Sequence, residues 1–296
     1  MKTITFIGAG NMGEALIRGI IAAGLFSSDA ITAADTDGDR RKKLAEELGI
    51  KTTPDNREAV RGADIVCLAI KPQALDPVLE ELLEEITEDQ LVISILAGVP
   101  TRRIEDKLGK NIRVVRVMPN TPALVGTGMA GISPGRYAGS DDLKATVDIM
   151  SAVGDVLEVQ EDLIDAVTGV SGSGPAYFFL FTEALARAGR KLGLSREQAD
   201  LLSRKTLIGA GKLLEETDLS PEELRRNVTS PGGHHGRGDQ DFSKPGFRGT
   251  GRKGSPGSPG PGKGDGSDRI DPCSENGSYW KKLYRNHEEH KDHEDF

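Results

Sequence analysis

Six residues near the N-terminus, Gly8-Ala9-Gly10-Asn11-Met12-Gly13, have the types and the spacing to cradle a dinucleotide. They form GxGxxG between the apolar run TITFIGA and the helical pattern MGEALIRGIIAAG. In such a turn the first glycine permits the tight bend and the second lets the backbone approach a pyrophosphate. The third lets helix and strand pack closely, and the free N–H groups of the helix N-terminus face the phosphates. A tight strand-to-helix turn with no ligand would use the same glycines. Far along the chain, Ser171-Gly172-Ser173-Gly174-Pro175 stands before a second long helical pattern, with its proline where a first-turn proline belongs. Backbone N–H groups and the Ser173 hydroxyl at that helix start would make an anion site, suited to a substrate carboxylate. A close helix–helix crossing would need the same small residues.

Other candidates stand where apolar runs end. Asp35 closes the run AITAAD, and an acid there bonds ribose hydroxyls and repels a 2′-phosphate. Arg40 and Arg41 follow within a few residues and would instead hold that phosphate, so NADH and NADPH both stay open. Ala69, Ile70, Lys71 and Pro72 end the strand after Cys67, and Met118-Pro119-Asn120-Thr121-Pro122, with Asn120, ends a later one, IRVVRVMPN. Ligands of open α/β sheets bind outside the carboxyl ends of strands, so both loops should line the crevice, with the Asn120 amide facing it.

The elements that must position these residues are legible as periodicities. Strand-like runs TITFIGA, AITAAD, DIVCLAI, QLVISILA and IRVVRVMPN alternate with amphipathic helical stretches such as RRKKLAEELG, which Gly49 ends. That βαβ order predicts a parallel, Rossmann-type sheet with helices on both faces over residues 1–160. From 161 to 233 the pattern is helical: DLIDAVTGV, GPAYFFLFTEALARAGRKLG, SREQADLLSRKTLIGAGKLLEE and SPEELRRNV carry apolar residues at i, i+3, i+4 spacing. Ser195 with Gln198 predicts a capping box, and Pro221 opens the last helix. The fold class is therefore α/β with a helical second domain.

The chain of 296 residues is long enough for two ordinary domains, and a net charge of −8 argues against nucleic-acid binding. No run approaches the roughly 20 apolar residues of a membrane span, and the start reads as strand one rather than a signal peptide, which points to the cytoplasm. The two cysteines, Cys67 and Cys273, have no metal-ligand or disulfide spacing, and Cys67 reads as a buried thiol. After Gly233 the composition changes abruptly. All five histidines and the single tryptophan lie beyond it, with the stretch GSPGSPGPGKGDG. Residues 234–296 are expected to be disordered, because such a segment buries too little apolar surface to offset chain entropy. Codons for residues 233–241, read one base along, permit Thr-Thr-Ala-Ala-Gly-Ile-Lys-Ile. Those for Thr250 to Pro256 permit Leu-Val-Glu-Lys-Ala-Ala-Arg. The tail is accordingly read as out of frame. His287, His290 and His293 miss the HExxH spacing, because Lys291 stands where the second histidine belongs, and no metal is expected.

IGAGNMGEAL, LAIKPQ, VMPNTPALVGTG, TGVSGSGPAY and VTSPGG, in this order and spacing, resemble the pyrroline-5-carboxylate reductase family from Met1 to Gly233. The resemblance implies reduction of 1-pyrroline-5-carboxylate to L-proline with NADPH or NADH, the last step of proline biosynthesis. It also implies a Rossmann domain followed by a helical domain that interlocks in a homodimer. Carried onto this chain, Gly8 to Gly13, Asn56, Ala69 to Pro72 and Ala97 would hold the cofactor. Ser173, Gly174 and Pro175 would hold the substrate carboxylate, with Thr229 and Ser230 beside it and Asp218 where some relatives place an acid. No catalytic side chain is assigned.

After SPGG the family has a Thr-rich turn that reaches the substrate, and then two helices. Here His234 and His235 replace the turn and Gly/Pro-rich sequence replaces the helices, which predicts weak or no turnover and an impaired oligomer. Two alternatives remain. One is an imine reductase or β-hydroxyacid dehydrogenase, although the usual second-domain lysine is absent before Lys191. The other is an inactive NAD(P)-binding protein.

Overall fold

The computed structural model describes residues 2–228; Thr229, Ser230 and the expectations for 234–296 lie outside the described residues. Residues up to Pro221 form one compact unit. Its frame is an eight-stranded sheet: β1 Ile4–Ile7, β2 Ile31–Ala34, β3 Lys51–Thr53, β4 Ile65–Leu68, β5 Leu91–Ser94, β6 Arg113–Met118, β7 Gly128–Pro134 and β8 Gly154–Glu158. The strand order is β3-β2-β1-β4-β5-β6-β7-β8. Strands β1 to β6 run parallel, β7 is antiparallel to β6, and β8 is parallel to β7. The order reverses between β1 and β4, which is where a doubly wound sheet opens its ligand crevice.

Helices α1 Asn11–Ala22, α2 Gly38–Leu48 and α6 Ser140–Ser151 cover one face; α3 Asn56–Val60, α4 Leu75–Leu82 and α5 Thr101–Leu108 cover the other. Alternation along β4 shows why both faces are apolar. Ile65 and Cys67 pack with Leu16, Ile17 and Ile20, while Val66 and Leu68 pack with Leu75, Leu79 and Ile104. Burial pushes the Cys67 thiol up to about 12, so it stays neutral and inert. Gly49, left-handed at φ 67°, ends α2.

The sequence reading runs without strands from 128 to 158, whereas the chain forms β7 and β8 there. Glycines hide the signal: a Cβ on Gly128 would lie 2.9 Å from the Val153 carbonyl oxygen, so the backbones approach where a strand-forming side chain would not fit. Beyond β8 come α7 Ile164–Val167, α8 Gly174–Lys191 and α9 Arg196–Glu216, then α10 Pro221–Val228. The Ser195–Gln198 capping box forms in both directions, at 2.9 and 3.2 Å. DLIDAVTGV is not one helix: α7 is four residues long and widens into a π-helical turn, Thr168–Gly172. No helix among the described residues is long and apolar enough to cross a membrane.

Candidate functional site

The glycine turn follows β1 and opens α1. Gly8 takes φ +90°, and a Cβ there would meet the Ala69 carbonyl oxygen at 2.7 Å and Ile70 Cγ2 at 2.9 Å. A Cβ on Gly13 would stand 2.8 Å from the Gly8 carbonyl oxygen. Only glycine fits either place. Gly10 is different, because its nearest neighbour would be an arginine tip, Arg40 Nη1, at 3.3 Å. No side chain caps α1, and Asn11 is exposed at its first position. The turn is thus crowded beneath and open above, with the N–H groups of α1 available to an anion. A dinucleotide pyrophosphate fits this cradle.

Around the cradle stand the ends of the neighbouring strands. Asp35 is committed to the turn itself: Oδ2 accepts the Ala9 N–H at 2.8 Å and Oδ1 accepts the Asp37 N–H at 2.9 Å. Arg41 Nη1 donates to the Asp35 carbonyl at 2.6 Å, and Arg40 Nη1 to the Ala9 carbonyl at 3.4 Å. Both guanidiniums therefore flank the glycine turn at the end of β2. Asn56 begins α3 and donates from Nδ2 to Glu81 Oε2 at 2.8 Å. Ala69 and Ile70 are half-buried after β4, Lys71 is exposed, and Pro72 opens a short 3₁₀ turn. Ala97 is exposed in the loop after β5.

The second glycine-rich segment sits at the same edge of the sheet. Gly172 crosses the end of β6, where a Cβ would come within 2.7 Å of Met118 Cε. Asn120 Nδ2 donates to the Ser171 carbonyl at 3.2 Å, and its Oδ1 accepts the Met129 N–H at 2.9 Å. The amide that the sequence offers to the crevice is thus spent on the backbone at both ends. The start of α8 also differs from expectation. Ser173 is helical, not extended, and its N–H donates to the Thr168 carbonyl at 2.8 Å; the Ala176 N–H turns back to the Ser173 carbonyl at 3.1 Å. The π-helical turn runs straight into α8, so two of the amides expected to meet an anion are used within the chain. Gly174 is buried and Pro175 half-buried. One polar atom beside this turn is orphaned: Ser171 Oγ is buried with no hydrogen-bond partner. Asp218 is exposed just beyond α9. Sequence reasoning missed Arg116 and Glu161, which dock this segment onto β6 through an ion pair at 3.5 Å. The alternation Arg116, Met118, Asn120 along one strand face was the available signal.

Comparison with known proteins agrees with this architecture. Residues 3–98 match the family described as NADP oxidoreductase, coenzyme F420-dependent, and residues 161–254 match pyrroline-5-carboxylate reductase dimerisation. The second match runs past the compositional break at Gly233. A pyrroline-5-carboxylate reductase of Methanosarcina acetivorans is 47% identical over 247 residues, 83% of this chain and 92% of that protein. The structure of a pyrroline-5-carboxylate reductase from Coxiella burnetii superposes with a TM-score of 0.75 at 41% identity, covering 81% of this chain and 90% of that one. The Plasmodium falciparum pyrroline carboxylate reductase with NADP bound gives 0.73 at 32%, covering 83% and 91%.

Proposed function

We propose, since the chain belongs to the pyrroline-5-carboxylate reductase family, that it reduces 1-pyrroline-5-carboxylate to L-proline in proline biosynthesis. The observation that carries this reading is that the glycine turn after β1 and the Ser171–Pro175 turn beside β6 both stand at the carboxyl edge of one sheet. One suits a dinucleotide and the other a small acid. Bound NADPH would supply the hydride that the imine carbon accepts.

The chain's own residues bind and orient. Gly8 to Gly13, Asn56, Ala69 to Pro72 and Ala97 line the dinucleotide side. Asp35 shapes the turn through the Ala9 N–H, while Arg40 and Arg41 offer two cations for a 2′-phosphate, which favours NADPH over NADH. Ser173, Gly174 and Pro175 receive the carboxylate, with Asp218, Thr229 and Ser230 near the same pocket by family position. Asn120 acts from behind by bracing Ser171. Protonation makes the imine a better hydride acceptor, and positioning with exclusion of water accounts for most of the rate. Residues 1–160 serve the cofactor and 161–233 serve substrate and dimer.

Helices α8 and α9 are proposed to form a homodimer, since Phe178, Phe179, Leu201, Leu202 and Leu213 are exposed along them. We place the reaction in the cytoplasm. The sequence beyond Gly233 is expected to weaken both pocket and dimer, which keeps an inactive NADP-binding protein as the second reading.

The test is the initial rate of NADPH and NADH oxidation with pyrroline-5-carboxylate, on this chain and on a version restored to the shifted frame after Gly233. Sedimentation of both runs in parallel. Turnover and dimer confined to the restored version uphold the family reaction and the need for the replaced segment. Equal activity removes the proposed impairment. Inactivity of both removes the reaction.

A further inference from the structure

Strand β6 sends three side chains from one face, Arg116, Met118 and, just past its end, Asn120. Each meets a different point of the segment that leads from the sheet to the Ser171–Pro175 turn. Arg116 Nη1 lies 3.5 Å from Glu161 Oε1, and its Nη2 lies 3.5 Å from Asp165 Oδ1. Met118 packs where Gly172 has no side chain. Asn120 holds the Ser171 carbonyl. Arg116 is the only buried lysine or arginine among the described residues. A buried guanidinium is costly unless paired, and Glu161, part-buried, is its main partner, with the exposed Asp165 a second contact. Glu161 is fixed from a second side as well. Its Oε1 accepts the Thr101 N–H at 2.7 Å and its Oε2 accepts the Thr101 hydroxyl at 2.9 Å, at the start of α5. Ile164, fully buried, and Val167, seated against Gly131, fill the interval.

Resting on the function proposed above, we propose that this face of β6 is a rail that sets the carboxylate-binding turn relative to the dinucleotide turn. Arg116 is the positioning residue, acting through Glu161 and Asp165. The rail joins the turn to β6, which pairs with β5 and through it with β4, so the two glycine-rich turns share one rigid sheet. Small displacements of a bound reactant cost large factors in rate, which gives the clamp a catalytic consequence without contact to substrate.

The test compares Arg116→Met and Glu161→Gln with the unaltered full chain. We expect KM for pyrroline-5-carboxylate to rise about tenfold and kcat to fall, with KM for NADPH changing less than about twofold. Hydrogen exchange should quicken in residues 161–176 and stay unchanged in residues 7–13. If Arg116→Met does not fold, Asp165→Asn at an exposed side chain and Glu161→Gln carry the same comparison. A lowered thermal midpoint with unchanged KM ratio and unchanged exchange at 168–176 would overturn the proposal, leaving Arg116 a purely structural residue. If only the version restored after Gly233 turns over, the KM comparison is made in that version; if neither does, the functional reading fails separately, and the exchange comparison still decides whether the rail holds the turn.

Discussion

The sheet and the long helices α8 and α9 dispose of their apolar residues in opposite ways. In the sheet layer, Phe6, Leu68 and Val115 on the strands and Leu79 on the covering helix α4 are all wholly buried, packed between sheet and helix within the protomer. Along α8 and α9 the buried residues are Gly174, Ala186, Ala199 and Ser203, while Phe178 is 59% and Phe179 64% exposed. Both regions obey the helix or strand period. The difference is what faces the apolar stripe, and it teaches that the sheet is complete within one chain whereas the helices present a surface suited to a second one.

The sharpest way to break this contrast is to truncate one leucine in each region. Leu79→Ala, at a wholly buried site, should cost about 2–5 kcal/mol, whereas Leu213→Ala, half exposed in α9, should cost within about 0.5 kcal/mol when the chain is monomeric. Urea unfolding at low protein concentration measures both. Similar losses would mean that α9 is packed within the protomer after all. A difference that shrinks as concentration rises would show association covering Leu213.

A smaller effect separates two left-handed glycines. Gly8 and Gly24 both hold positive φ, 90° and 68°, but a Cβ on Gly8 strikes Ala69 whereas one on Gly24 meets open space. Gly24→Ala should cost about 1–2 kcal/mol of stability, the strain of a left-handed residue, and leave NADPH affinity intact. Gly8→Ala adds overlap at the cradle and should weaken NADPH binding by about tenfold or more, read by nicotinamide fluorescence. Equal affinities in the two variants would show that the turn after β1 is not the dinucleotide site.

What the sequence disclosed follows the same division. Strands β1, β4 and β5 were legible because burial on both faces makes each an unbroken apolar run, and Ser195 with Gln198 announced the start of α9. Strand β7 was not, since the close approach of Gly128 to Val153 demands glycine where a strand would show a branched residue. The two glycine-rich turns were visible as motifs, yet their geometry was only partly so. Nothing local tells that Asn120 faces Ser171 or that the π-helical turn uses the Ser173 N–H, because both depend on contacts between residues far apart in the chain. Asp35 shows the same limit: its place at the end of β2 was readable, but not its bond to the Ala9 N–H.

The smallest expected effect lies where the glycine-bearing helix meets its neighbour. Glu14, in the first turn of α1, accepts from Arg18 at 2.7 and 2.9 Å and from Lys43 of α2 at 3.0 Å, and Arg18 also reaches Glu47. Burial pushes the Glu14 carboxyl upward, but the bonds from Arg18 and Lys43 outweigh it and hold the group below its ordinary 4.5. A carboxyl held lower in the folded chain than in the unfolded one stabilises the fold fully above the ordinary value. That contribution fades as pH falls through the folded value. Exposed pairs of this kind contribute about 0.2–1 kcal/mol each. Glu14→Gln should therefore lower the thermal midpoint slightly at pH 7 and match the unaltered chain well below pH 4, so the two stability profiles converge in acid. A constant offset at every pH would show that Glu14 contributes through packing rather than charge, and that α1 is held to α2 by its buried face alone.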